Sequence, residues 1–256
     1  MREGVYQPAG RGLVYAKGKK GLRVMRCWWM LWAVLAAGWA NAADGATFAV
    51  PDTMAQRTLA CTVCHGKEGR ATNAGYFPRI AGKPAGYLYS QLLNFRDGRR
   101  YHNLMSPLLV NLSDAYLREI ADYFAALDLP YPPPQQASLP ARVRERGETL
   151  VRHGDTARNI PACTGCHGLA MTGTEPAVPG LLGLPRDYLN AQLGAWRTGQ
   201  RKATSPDCMH QIAQRLDVAD VSALSDWLAT QPVPVPSKAV ARSASPLPIA
   251  CGKVPL

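Results

Sequence analysis

Between residues 113 and 126 the apolar positions Leu117, Ile120, Ala121 and Phe124 recur at three- and four-residue steps, which places them on one helix face. Ser113 stands where an N-cap is needed. The spacing returns later as Val221, Leu224 and Leu228, on a helix that Asp217 opens. Pro84 and Gly98 bracket a further helix of about four turns, because proline suits a first turn and glycine a stop. Pro185 and Gly199 bracket its counterpart, and one more helix is expected from Ala141 to His153, ending at Gly154. No alternating run of β-branched residues is long enough for a sheet, so the expected fold class is all-α. Each half has little apolar side chain with which to fill a core unaided, which implies that something else occupies the middle.

These matched helices belong to a longer internal repeat. Cys61-Thr62-Val63-Cys64-His65-Gly66 returns 102 residues later as Cys163-Thr164-Gly165-Cys166-His167-Gly168. Pro78, Gly82, Pro84, Tyr87, Leu88, Gln91, Leu92, Arg96 and Gly98 return at an offset of 101, and Met105, Leu112, Asp122 and Ala125 at an offset of 104. Two copies indicate a tandem duplication, since a solenoid needs at least three repeats. The stretch Pro130-Tyr131-Pro132-Pro133-Pro134 reads as a stiff spacer between the copies.

Composition changes the picture only once the leader is set apart. The chain has 256 residues, 47% hydrophobic and 18% charged, which excludes disorder; its 21 prolines and 23 glycines exclude a coiled coil. The net charge of +11 points at first to nucleic acid or an anionic membrane. However, residues 27 to 39 form an uncharged apolar run that follows Arg23 and Arg26 and precedes Ala40-Asn41-Ala42, the pattern of a secretory signal peptide. The run is too short for a membrane anchor. Cleavage is expected after Ala42, with Met25 an alternative start. The leader holds seven basic residues and one acid, so the remaining chain carries only +5 and a nucleic-acid partner is not expected. The expected organisation is a signal peptide over 1–42, an N-terminal domain over 43–137 that includes the start of the linker 130–136, a C-terminal domain over 138–231, and a proline-rich tail over 232–256.

On a helix, positions i, i+3 and i+4 share a face, so Cys61, Cys64 and His65 can present two thiols and an imidazole to one flat object. Cys163, Cys166 and His167 repeat the arrangement. It is the attachment motif of c-type haem: thiols add across two vinyl groups and the histidine reaches the iron. Zinc would have to join elements a hundred residues apart, and a thioredoxin-like pair needs a βαβ setting that is absent. The second axial position falls to Met105 and Met209, which lie in matching, loop-like sequence before the last helix of each half. Met54 has no counterpart, Met171 is too close to His167, and the rivals His102 and His210 occupy unequal positions. Pro78 and Pro179, 13 and 12 residues after the histidines, can offer carbonyls to them or act as plain turn residues. Arg99-Arg100 and Arg201-Lys202 precede both methionines and suit either haem propionates or a solvated surface. Cys208 and Cys251 remain; in an oxidising compartment they are expected to pair, the sharper alternative being a reactive thiol or iron ligand at Cys208.

The doubled pattern Cys-x-x-Cys-His-Gly, then Pro-x-x-x-Gly-x-Pro-x-x-Tyr-Leu-x-x-Gln-Leu, a methionine and a closing amphipathic helix resembles the dihaem cytochrome c4 family over nearly all of residues 50 to 230. The resemblance implies two tandem class I cytochrome c domains, each wrapped around one covalently attached haem. It implies thioether bonds at Cys61, Cys64, Cys163 and Cys166, axial pairs His65/Met105 and His167/Met209, and proline carbonyls at Pro78 and Pro179 holding the histidines. Its implied role is single-electron transfer in the periplasm between a quinol-oxidising complex or a dehydrogenase and a terminal oxidase or reductase, with membrane contact only through partners. The alternatives are a dihaem oxidoreductase acting on a sulfur compound or peroxide, and the cytochrome subunit of a dehydrogenase.

Overall fold

Side-chain caps set the starts of several helices. The computed structural model describes residues 50–71, 75–242 and 246–252; the leader, with its expected cleavage after Ala42, lies outside them. In the first half, α1 (Met54–Arg57) and α2 (Leu59–His65) precede α3 (Ala85–Arg96), α4 (Met105–Leu109) and α5 (Asp114–Ala126). In the second half, α6 (Ala141–Arg152) and α7 (Thr164–His167) lead into an antiparallel hairpin of β1 (Gly173–Thr174) and β2 (Val178–Pro179). The hairpin pairs Gly173 with Pro179. It is followed by α8 (Arg186–Arg197), α9 (Cys208–Arg215) and α10 (Val218–Thr230). Ser113 Oγ accepts from Tyr116 N at 3.2 Å. Asp217 forms a reciprocal capping box with Asp220, accepting from its N at 2.8 Å. Pro84 and Pro185 sit one residue ahead of their helices, as extended caps rather than first-turn residues.

The methionine segments differ from the expected loops. Met105 opens α4 and Met209 is the second residue of α9. Pro107 falls in the first turn of α4, where a missing N–H breaks no helical bond. Asp207 caps α9 by accepting from His210 N at 3.0 Å. Prolines that suggest a loop thus lie where a short helix tolerates them or ahead of its cap.

Each half has its own apolar cluster. Leu88, Tyr89, Leu93, Leu117, Ile120 and Phe124 join α3 to α5, with Cys61 and Met105 packed at the edge. Leu150, Val151, Tyr188, Leu189, Leu224 and Trp227 join α6, α8 and α10, with Cys163 at the edge. Gly147 sets the approach of α6 to α10: a Cβ there would lie 2.4 Å from Ala223 O. Behind this crossing, Arg146 Nε and Arg158 Nη1 donate to the buried carboxylate of Asp220 at 2.8 and 2.7 Å.

Several contacts link the halves. The backbones of Arg100 and Arg201 form an antiparallel bridge, and Lys202 N donates to Arg99 O at 2.8 Å. The proline-rich spacer is docked rather than free. The Arg79 guanidinium stacks 3.9 Å from the centre of the Tyr131 ring, and Gln135 N donates to Ala229 O at 2.9 Å. The tail turns back on both halves: Lys238 Nζ reaches Ala125 O and Leu127 O at 2.8 and 3.1 Å, at the C-terminus of α5. Val240 N donates to Gly173 O at 3.1 Å. Among the described residues no helix is long and apolar enough to cross a membrane.

Gly147→Ala is expected to cost about 2 kcal/mol in denaturant unfolding, because the helices must part although alanine is the better helix former. Asp220→Asn is expected to cost about 1 to 2 kcal/mol at pH 7, because the buried carboxylate loses its charge-assisted bonds while the half-exposed Arg146 and Arg158 can turn to water. Burial works to raise the Asp220 pKa, but hydrogen bonds from Arg158 and Arg146 outweigh it and the net shift is downward. The wild-type advantage is therefore full above the ordinary carboxylate pKa and is lost as pH falls through the depressed one. Unfolding followed from pH 7 into acid should show the two curves converging.

Candidate functional site

Both Cys-x-x-Cys-His segments are helical turns. Cys61, Cys64 and His65 lie within α2, while Cys163 caps α7 with helical dihedrals and Cys166 and His167 lie inside it. Each turn ends on a glycine with positive φ, Gly66 at 76° and Gly168 at 81°. At Gly66 a Cβ would lie 2.2 Å from Ala71 O, so both the dihedral and the space exclude other residues.

From these glycines the chain returns to the imidazoles. His65 Nδ1 donates to Pro78 O at 2.8 Å and His167 Nδ1 to Pro179 O at 2.7 Å. A carbonyl can only accept, so Nδ1 carries the proton and Nε2 keeps its lone pair. Burial lowers both histidine pKa values, the carbonyl bonds acting against it, and the rings stay neutral. Burial also raises the Cys61 thiol and pushes Cys163 up to about 12. These are protonated thiols rather than thiolates poised for a metal. All four motif cysteines are unpaired, whereas Cys208 and Cys251 form a disulfide. The pairing removes the alternative of a reactive or ligating Cys208.

Met105 and Met209 are half-buried at the starts of α4 and α9. Met171 is buried in the second core, and Met54 packs against the first. Both rival histidines are already engaged. His102 Nε2 meets the Tyr76 hydroxyl at 2.8 Å and its Nδ1 accepts from Leu104 N at 3.2 Å. His210 Nδ1 donates to Trp196 O at 2.9 Å.

Between the halves lies a four-residue cluster that sequence reasoning did not assemble. The carbonyl of Gln91 accepts from Arg100 and Arg201, both at 2.9 Å. Gln192 accepts from the same two arginines at 2.6 and 2.7 Å. Arg201 is 4% exposed, and burial with Arg100 as a positive neighbour pulls its pKa down. Arg201 also stacks 3.7 Å from the centre of the Trp196 ring, whose Nε1–H is buried without an acceptor among the described residues. Both glutamines recur at the 101-residue offset, which was the signal available for them. Arg99, by contrast, turns outward to Asp97 and Asn94.

The tail lies along the second turn. Pro248 sits 3.6 Å from where a Gly165 Cβ would be, and Val240 approaches Gly168. At the position equivalent to Gly165, Val63 is 80% exposed.

A c-type haem suits this donor set: paired thiols on one helical face, a neutral imidazole with Nε2 available, and buried cationic and indole donors of the kind that carboxylates satisfy. Among the described residues no group of three or more His, Cys, Asp or Glu converges as a separate metal site. The site and its all-α frame thus define a c-type cytochrome.

Comparison with known proteins agrees. No family model matches the chain. A protein of Thiomonas intermedia named thiosulfate dehydrogenase electron acceptor is 37% identical over 174 residues, 68% of this chain and 79% of that one. Cytochrome c4 of Pseudomonas aeruginosa is 35% identical over 67% of this chain and 84% of its own. The crystal structure of cytochrome c4 from Pseudomonas stutzeri superposes with a TM-score of 0.60 at 30% identity, covering 69% of this chain and 95% of that one. Thiosulfate dehydrogenase from Marichromatium purpuratum superposes with a TM-score of 0.58 at 36% identity over 67% of this chain, which spans only 36% of that longer one. The chain belongs to the dihaem cytochrome c4 family. It is an electron-transfer protein rather than an enzyme, with tandem class I cytochrome c folds and two covalently attached haem c groups at its Cys-x-x-Cys-His motifs.

The double variant Cys61→Ser/Cys64→Ser is expected to halve the covalently bound haem per chain. Pyridine haemochrome absorbance against protein concentration measures this.

Proposed function

We propose that this protein is a periplasmic carrier that takes single electrons from a dehydrogenase, of the class that oxidises thiosulfate, and passes them to a terminal oxidase or reductase. The observation that carries this reading is the 37% identity to a protein named for accepting electrons from thiosulfate dehydrogenase, on a chain with two equivalent haem-attachment turns. A quinol-oxidising complex is the other donor the family resemblance allows. The export-signal pattern of residues 27–42 and the Cys208–Cys251 disulfide support the compartment.

In this reading the domains run over 43–137 and 138–231, and the bound haems would supply one-electron ferrous–ferric chemistry. Cys61, Cys64, Cys163 and Cys166 anchor the cofactors. His65 and His167 would ligate through Nε2, each held in orientation by its proline carbonyl. Met105 and Met209 would supply the second ligand of each iron, where a thioether favours the reduced state. Two side-chain ligands on each iron would leave no position there for substrate. Arg100 and Arg201, which have no carboxylate partner among the described residues, would neutralise propionates.

Mixing the oxidised holoprotein with thiosulfate and a thiosulfate dehydrogenase should reduce both haems within the mixing experiment, as followed by the rise of the ferrous visible bands. If reduction is no faster than with thiosulfate alone, that donor is wrong. Met105→Ala and Met209→Ala should each convert one haem to a form that binds cyanide or carbon monoxide readily and lower its midpoint potential. Unchanged ligand binding in either variant would remove that methionine from the axial set.

A further inference from the structure

The proximal sides of the two sites carry different buried cations, Arg79 beside Pro78 in the first half and Lys83 beside Gly180 in the second. Lys83, in the turn before α3, is 4% exposed, and its Nζ donates to Gly180 O at 2.9 Å in the other half. Gly180 directly follows Pro179, whose carbonyl holds His167 at 2.7 Å. Among the described residues no carboxylate pairs with Lys83; its charged and titratable surroundings are Arg79, the Tyr131 ring 6.0 Å away, and His167. The 101-residue repeat matches Lys83 to Leu184 and Gly180 to Arg79. The second half therefore has no side chain where the first has Arg79, and it receives an ammonium group from the first half instead. Its own counterpart, Leu184, is buried and carries no charge back.

We propose that Lys83 is a positioning residue of the N-terminal half that acts on the C-terminal haem, through the Pro179–Gly180 backbone and His167, to favour its reduced state. Two physical effects have the same sign. A cation in a dry interior opposes a further positive charge on nearby iron, and so penalises the ferric form. The same cation draws electron density from the Pro179 carbonyl region, weakens the hydrogen bond that Nδ1–H donates to Pro179 O and so makes His167 a poorer donor to iron, which again disfavours the ferric form. Desolvation, with Arg79 adding to it, lowers the Lys83 pKa to about 7, so the ammonium dominates at pH 6.

The inference rests on His167 ligating the C-terminal iron. The test is a stepwise redox titration of the dihaem holoprotein at pH 6, with each haem followed through its own hyperfine-shifted methyl signals in NMR. Two variants are compared with wild type: Lys83→Met, which removes charge and hydrogen bond, and Lys83→Gln, which keeps a donor for Gly180 O without the charge. Both should lower the reduction equilibrium constant of the C-terminal haem by roughly tenfold, about 59 mV for one electron, and leave the N-terminal haem in place. A shift in Met but not in Gln, an equal shift of both haems, or no shift would overturn the role of the charge. If His167 is not the ligand, the unmodified protein will lack a low-spin histidine–methionine signature at that haem. Failure of the Lys83 proposal leaves the signature intact and removes only the shift.

Discussion

The hydrogen bond from each buried imidazole to a proline carbonyl is the constraint around which each half is arranged. It commits Nδ1, so the ring can offer only Nε2 and can face only one way. To make it, the chain must leave the Cys-x-x-Cys-His helix sharply and return within 12 or 13 residues, which is why Gly66 and Gly168 stand at positive φ immediately after the histidines. The return places Pro84 and Pro185 at the heads of α3 and α8, and those helices then carry Gln91 and Gln192 to the contact between the halves.

That contact is unusual in its charge. Two guanidiniums share two amide oxygens, with aromatic faces beneath them and no carboxylate partner among the described residues. Like charges held this closely are unfavourable unless an anion completes the arrangement. Haem propionates are anions that the cofactor itself brings, and on the proposed reading the joint between the halves and the loading of the cofactor would draw on the same groups. The modest apolar content of each half has the same origin: the cores are built to close around a large planar group.

Local features were legible because they depend on residues near one another in sequence. The thiol and imidazole turns, the caps at Ser113 and Asp217 and the glycine stops at Gly98 and Gly154 all follow from spacings of a few residues. The proline carbonyls were legible as a choice between two roles, and the geometry selects one. Sequence reasoning missed the helices that open at Met105 and Cys208, because both segments read as loop-like and their caps are set only by the folded geometry. Contacts such as Lys83 with Gly180 or Arg100 with Gln192 were illegible for a different reason. They join positions more than ninety residues apart, and a repeat aligned on its similarities conceals pairs in which the copies differ.

Lys238 reaches from the tail to the last carbonyls of α5, where an ammonium group satisfies oxygens that no helical N–H can reach and meets the negative end of the helix dipole. In a chain made from its N-terminus, α5 emerges more than a hundred residues before its cap. Until then those carbonyls must be satisfied by water, and the first half is left with an unfinished end. Maturation of the earlier half is thus completed by the latest part of the chain to arrive, which gives the tail a place in the timing of assembly.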